Sequence, residues 1–284
     1  MFDTLILSGG ALKGIQMLGS LYFCEKYNLL NNIQNYIGVS VGSIICYFSI
    51  IGYSSDELFI ELVNSPIWNL LNISNINIYL IFEKNFIFDI KILKEELERL
   101  TLKKLKYFPT FEMLNKNLSV LSFNYTQNKL IYFSKEETPK YDVIDSIILS
   151  SSLPFIFSES IRNINEKANL FIDGGIISNF PIQYAIKYNN SLNKNKILGI
   201  YFEENTKKGK NNIIDLFFNK IIFSSQKYNF KKELENSKKY PFIKLINLTS
   251  DLMIFNFSIK NEQKKELFFD GYNQTKELFF SLNS

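Results

Sequence analysis

One unit, used twice in succession, constrains the fold more than anything else in the chain: a short apolar strand that breaks into a glycine turn and continues as an apolar helix. Thr4 to Ser8 is such a strand, Gly9-Gly10-Ala11-Leu12-Lys13-Gly14 the turn, and Ile15 to Tyr27 the helix. Tyr36 to Val39 repeats the pattern, running into Gly38-Val39-Ser40-Val41-Gly42 and then into the apolar stretch Ser43 to Ile51. A strand that feeds a helix returns to its sheet by a crossover in the same direction, so two such units imply a mainly parallel central sheet covered by helices, an α/β fold.

The remaining pattern is compatible with that frame. Residues 55 to 117 read as helices and connectors, with the alternating Lys and Glu of Lys91 to Leu100 read as a solvated helix face. Leu118 to Asn124 and Lys129 to Phe133 predict a strand pair around the turn Thr126-Gln127-Asn128-Lys129, and Asp142 to Ser151 predicts a helix that stops before Pro154. Asn169 to Ile172 is a strand ending at Asp173-Gly174-Gly175, Lys196 to Phe202 and Phe242 to Leu248 are further strands, and Asn261 to Leu282 is a closing helix. No repeat or low-complexity linker divides these pieces, so the 284 residues read as one domain.

Composition narrows the chemistry. The chain contains no histidine, which excludes Ser-His-Asp and Cys-His catalysis and most zinc sites and leaves acid-base work to carboxylates, Lys, Tyr or Cys. A formal net charge of +4, dispersed over short Lys pairs such as Lys207 with Lys208, carries no nucleic-acid footprint, although it suits an approach to anionic lipid. Two cysteines, Cys24 and Cys46, lie in apolar helical stretches and do not form a disulfide framework, which favours a reducing compartment. Met1-Phe2-Asp3-Thr4-Leu5 lacks the regions of a signal peptide, and no apolar run reaches the roughly 18 residues of a membrane span. The expectation is a cytoplasmic protein, soluble or peripherally attached to a membrane.

Three segments carry candidate chemistry. Gly38-Val39-Ser40-Val41-Gly42 is a Gly-x-Ser-x-Gly sequence between strand and helix, the setting of a nucleophile elbow, with the helix N-terminus favouring negative charge at Ser40. The turn from Ser8 to Gly14 also opens a helix; it can be a structural turn, a phosphate loop or an oxyanion hole beside Ser40, with Lys13 as an anchor. It lacks the spacing of the dinucleotide and P-loop motifs, which favours the oxyanion reading. Asp173, before Gly174 and Gly175, can be a turn former or a helix cap, or, in a chain without an imidazole, the base for Ser40.

In this order the segments Gly9 to Gly14, Gly38 to Gly42 and Asp173 to Gly175 resemble the patatin-like phospholipases. Ser150-Ser151-Ser152-Leu153-Pro154 resembles that family's small-residue segment, Asp173 to Pro181 its Asp-Gly-Gly-x-x-x-Asn-x-Pro, and Phe255 to Tyr272 its closing strand and helix. The resemblance implies a three-layer α/β/α fold and metal-independent hydrolysis of phospholipid acyl esters with no cofactor. It implies Ser40 as nucleophile, Asp173 as base, and the backbone of Gly9, Gly10 and Ala11 as the oxyanion hole, where the family usually has a third glycine in place of Ala11. Substrate would come from a phospholipid membrane or micelle, with a protein activator as a further partner and no nucleic acid. Ile76 to Ile90, with Tyr79, Phe82, Phe86 and Phe88, and Ile213 to Phe230, with Phe217, Phe218 and Phe223, can be core or an interfacial lid. An acyltransferase using the same dyad, or a catalytically silent lipid-binding protein, are the alternatives.

Overall fold

A computed structural model of the chain describes residues 2–71, 85–164, 166–191, 196–203, 224–250, 252 and 259–280. Tyr79, Phe82, Phe217, Phe218, Phe223 and Phe255 lie outside the described residues. Strands are β1 Thr4–Leu7, β2 Asn35–Val39, β3 Phe86–Phe88, β4 Asn117–Asn124, β5 Lys129–Ser134, β6 Phe155–Phe157, β7 Ser160–Ile164, β8 Lys167–Asp173, β9 Ile197–Glu203 and β10 Ile243–Thr249. Helices, numbered in chain order, are α1 Gly14–Lys26, α2 Val41–Ile50, α3 Ser55–Asn64, α4 Ile67–Leu70, α5 Lys91–Lys104, α6 Val143–Ser150, α7 Ile182–Ser191, α8 Ser224–Ser237 and α9 Asn261–Phe280.

The main sheet runs β10-β9-β1-β2-β4-β8-β7, with β5 also on β4, while β3 and β6 form a separate two-stranded parallel pair. From β10 to β4 every pairing is parallel, as the paired strand–turn–helix units require. The pairings of β5 and β8 with β4, and of β7 with β8, are antiparallel, so the sheet is mixed beyond β4.

Alternation along each strand builds the two helical layers. Leu5, Leu7, Tyr36, Leu198, Ile200, Ile246 and Leu248 face a core shared with α1, α2, α5 and α6, while Ile6, Ile37, Ile197 and Tyr201 face α7 and α8. The result is a three-layer α/β/α sandwich. Strands buried on both faces read as continuous apolar runs, which is why β1 stood out in the sequence.

Helix α5 differs from the expectation of a solvated face. Leu97 and Leu100 are buried, and so is Glu96, whose carboxylate accepts hydrogen bonds from Ser65 Oγ at 2.6 Å and from Arg99 Nε and Nη2, both at 2.9 Å. Those partners offset the cost of taking a charge out of water. Cys24 and Cys46 are buried free thiols on α1 and α2. No helix among the described residues is long and apolar enough to cross a membrane.

Candidate active site

The sheet itself brings the two distant motifs together. Val39, the last residue of β2, pairs with Leu121 of β4, and Asp173, the last residue of β8, pairs with Ser122, the next position along β4. Since β5 occupies the other edge of β4 along Ser119 to Asn124, β2 and β8 share one edge. They run toward each other along it, one parallel and one antiparallel to β4. The chain therefore leaves the sheet at Ser40 where the other strand arrives at Asp173.

Ser40 sits at φ 51°, ψ −125°, a strained conformation for a residue with a side chain, and caps α2. Its flanking glycines make that turn sterically feasible. A Cβ on Gly38 would lie 2.5 Å from Ser43 N, and one on Gly42 would lie 2.6 Å from Ser8 O. The backbone of Ser40 is held by Ser150, whose Oγ accepts the Ser40 N–H at 2.9 Å and donates to Leu121 O at 2.6 Å.

Asp173 is 6% exposed, and Oδ1 accepts the Gly175 N–H at 2.7 Å. Burial drives its pKa up to about 6 from the ordinary 3.8, against the lowering effect of hydrogen bonds from the Ser40 hydroxyl and the Gly175 amide. Gly174 and Gly175 open the short 3-10 turn that follows β8.

The glycine turn lies over this pair. The Gly9 N–H donates to Asn179 O at 3.2 Å, and Asn179 Nδ2 donates back to Gly9 O at 3.2 Å. Gly9 is thus engaged, whereas the amides of Gly10 and Ala11 have no acceptor among the described hydrogen bonds. Ala11 stands at φ 47°, in the left-handed region where glycine is the relaxed choice. Lys13 is buried with its ammonium 5.7 Å from the centre of the Phe202 ring, and Gly14 begins α1 against Val41.

These groups stand at the wall of a cavity of about 600 Å³, within the usual range for a small-molecule site. Its apolar side is supplied by Ile44 and Phe48 of α2, Leu58 and Leu62 of α3, and Leu97 and Leu100 of α5. Phe88, with Leu12, Ile67, Leu71, Leu153 and Ile156, forms a small buried cluster beside it, so Phe88 belongs to the core, and Phe86 is half-buried. Phe230 is half-buried against the rings of Phe180 and Tyr201.

The structure thus brings together Ser40, Asp173 and the Gly9-to-Gly14 turn. Two contributors had no assigned task in the sequence, Ser150 and Asn179. Each sits inside a quoted segment, but its contact spans 110 or 170 positions and leaves no local signal.

A family model for patatin-like phospholipase matches residues 5–186. A probable lipid hydrolase of Invertebrate iridescent virus 6 is 38% identical over 202 residues, covering 69% of this chain and 67% of its own. Protein R571 of Acanthamoeba polyphaga mimivirus is 28% identical over 288 residues, covering 98% of this chain and 94% of its own. Among solved structures, VipD from Legionella pneumophila superposes with a TM-score of 0.60 at 20% identity, over 99% of this chain and 67% of its own. ExoU of Pseudomonas aeruginosa, in its complex with SpcU, gives a TM-score of 0.54 at 17% identity over 100% of this chain and 52% of its own. At such identities the structural likeness speaks to the fold alone.

Proposed function

The chain belongs to the patatin-like phospholipase family, and from that membership we propose that it cleaves fatty-acyl esters of phospholipids, with Ser40 as nucleophile and Asp173 as base. The observation that carries this reading is the meeting of a strained serine and a buried carboxylate of raised pKa at the wall of an apolar cavity. The cavity accepts an acyl chain; the pair does the chemistry.

Asp173 takes the proton of Ser40 as Oγ attacks the ester carbonyl, and the amides of Gly10 and Ala11 receive the developing oxyanion. The Gly9 N–H is committed to Asn179 O, so Gly9 holds the turn and leaves the oxyanion to its neighbours. The N-terminus of α2 adds favourable potential at Ser40. Asp173 then passes its proton to the leaving alcohol, lysophospholipid departs, and water attacks the acyl-enzyme with Asp173 again as base. A base is most effective when its pKa lies near the working pH, so raising Asp173 to about 6 brings a carboxylate closer to the range in which histidine ordinarily works.

The test is fatty-acid release from mixed phospholipid vesicles by wild type and Ser40→Ala, together with covalent labelling by a fluorophosphonate. Release and labelling by wild type, both abolished in the variant, are expected. Release that survives Ser40→Ala removes the nucleophile. Addition of an alcohol acceptor reports whether the acyl group passes to water or to the acceptor, and the same vesicles with and without cell extract report the need for a protein activator.

A further inference from the structure

Trp68 is the single tryptophan of the chain, and it lines the cavity with a buried ammonium over its ring. It belongs to α4 and is half-buried, packed against both the main core and the small cluster around Phe88. Two contacts fix the ring. Its indole N–H donates to Leu62 O in the last turn of α3, and Lys264 Nζ of α9 stands 3.9 Å from the ring centre.

Lys264 occupies a costly position. It is 2% exposed, no carboxylate pairs with it among the described residues, and its ammonium donates to Asn261 Oδ1 at 3.1 Å. It also lies at the start of α9, the helix end that disfavours positive charge. Burial lowers its pKa, as it does for an ammonium short of counter-charge. The face of Trp68 offsets these costs, since an indole is the aromatic ring that attracts a desolvated cation most strongly. The ring is thus held from two elements, α3 and α9, outside its own short helix.

What the ring does follows from which walls of the cavity can be touched. Phe48, Leu58, Leu97 and Leu100 keep no more than 2% of their surface accessible, so they back the wall rather than meet a ligand. Ile44, Leu62 and Trp68 are half-buried and line the same space as Ser40. Of these three the indole offers the largest apolar surface. An acyl chain held at Ser40 by its carbonyl carbon extends into that space, and a short chain ends before it has covered the wall. We propose that Trp68 is the specificity-determining residue against which the acyl chain packs, making long fatty-acyl esters better substrates than short ones, and that Lys264 is a positioning residue that holds the ring. The inference rests on the assignment of Ser40 as nucleophile above. Each methylene that leaves water for the indole adds binding, so the preference grows with chain length until the ring is covered.

Because Trp68 is the single tryptophan, all tryptophan emission reports on this ring. Wild type is labelled at Ser40 with a dodecyl fluorophosphonate, plain or brominated along the chain, and the adduct is verified by mass spectrometry, so that occupancy is not in question. Bromine quenches indole emission at contact. The brominated adduct is expected to lose most of the emission and the plain adduct to keep it; equal emission from the two overturns the proposal. In a second arm p-nitrophenyl butyrate and decanoate are compared. Trp68→Ala should lower kcat/KM for decanoate about tenfold, chiefly through KM, and leave butyrate within about twofold. Equal loss on both esters, in a variant that unfolds at the wild-type temperature, overturns the proposal; if that variant does not fold, the quenching decides. Lys264→Met should cut the decanoate preference about threefold and shift the emission, while Lys264→Arg, which keeps a cation over the ring, should retain both. Wild-type values in Lys264→Met overturn the positioning role. A wild type that takes no label overturns the assignment of Ser40 itself, and this proposal with it, an outcome distinct from the others.

Discussion

Replacing Asp173 by Asn should abolish activity and yet make the protein more stable, and the size of the gain follows from the site. Asp173 is almost wholly buried, and the side chains and amides recorded against its carboxylate are Ser40 and Gly175, neither of them charged. Its pKa of about 6 against an ordinary 3.8, at about 1.36 kcal/mol per pH unit, means that the ionised form costs roughly 3 kcal/mol of folding free energy at neutral pH. The sign follows from proton binding: the folded state holds this proton more tightly than the unfolded state. Stability is therefore favoured below about pH 3.8 and is lost progressively as pH rises through about 6. Asn keeps an oxygen that can accept the Gly175 N–H but carries no charge. Urea unfolding of wild type and Asp173→Asn at about pH 7 should differ by up to roughly 3 kcal/mol in favour of the variant, and the difference should shrink toward zero near pH 4. Over the same range kcat/KM of the wild type should fall as Asp173 protonates, to about one tenth of its plateau at pH 5. A variant that is less stable than wild type at pH 7, or a wild-type rate that stays level down to pH 5, would refute the assignment of Asp173 as a buried, uncompensated base.

Two further substitutions test the packing around the site. Gly271 of α9 lies against α1 so closely that an added Cβ would stand 2.7 Å from the Gln16 carbonyl carbon, so Gly271→Ala should lower stability by roughly 3 kcal/mol in denaturant unfolding; a loss below 1 kcal/mol would show that the helices separate easily. Ala11→Gly relieves a residue held at φ 47° and should raise stability by about 1 kcal/mol in thermal unfolding while leaving fluorophosphonate labelling intact, so a destabilised variant would contradict the strain inferred at that turn.

Much of this architecture was legible because it is local. The strand–glycine–helix units at Gly9 to Gly14 and Gly38 to Gly42 announce themselves through composition and spacing, and Asp142 caps α6 through its contact with the Asp145 N–H at 2.7 Å, as its place before an apolar helix suggests. What escaped were elements whose identity depends on their neighbours. Strand β7 is the polar run Ser160 to Ile164 and exists because it pairs with β8; β3 and β6 are three-residue strands, too short for alternation to register. Helix α7 did leave a trace, Ile182, Ala185 and Ile186 at helical spacing directly after Pro181, and that stripe covers the second face of the sheet. Glu96 misled, since a Lys and Glu alternation marks an exposed face only when no residue such as Ser65 waits to receive the carboxylate.

The deepest information missing from the sequence is register. Ser40 and Asp173 were identifiable as residues that could work together, but only pairing with β4 makes them meet, because β2 stops at Leu121 and β8 stops at Ser122 on the same edge. A shift of one residue in β8 would turn Asp173 to the other face of the sheet, and one in β2 would do the same to the residues leading into Ser40, since side chains alternate with a period of two. The antiparallel β8 is thus the price of the proposed catalytic geometry: an all-parallel sheet would bring its strands to that end side by side, whereas a strand arriving from the opposite direction delivers the Asp173 carboxylate head-on to Ser40. Ser150, the last residue of α6, and Ser152, just beyond it, reinforce the same junction, one holding the Ser40 amide and the other the Asp173 amide. The small-residue segment before Pro154 is therefore better understood as the brace of the Ser40–Asp173 junction than as a helix end.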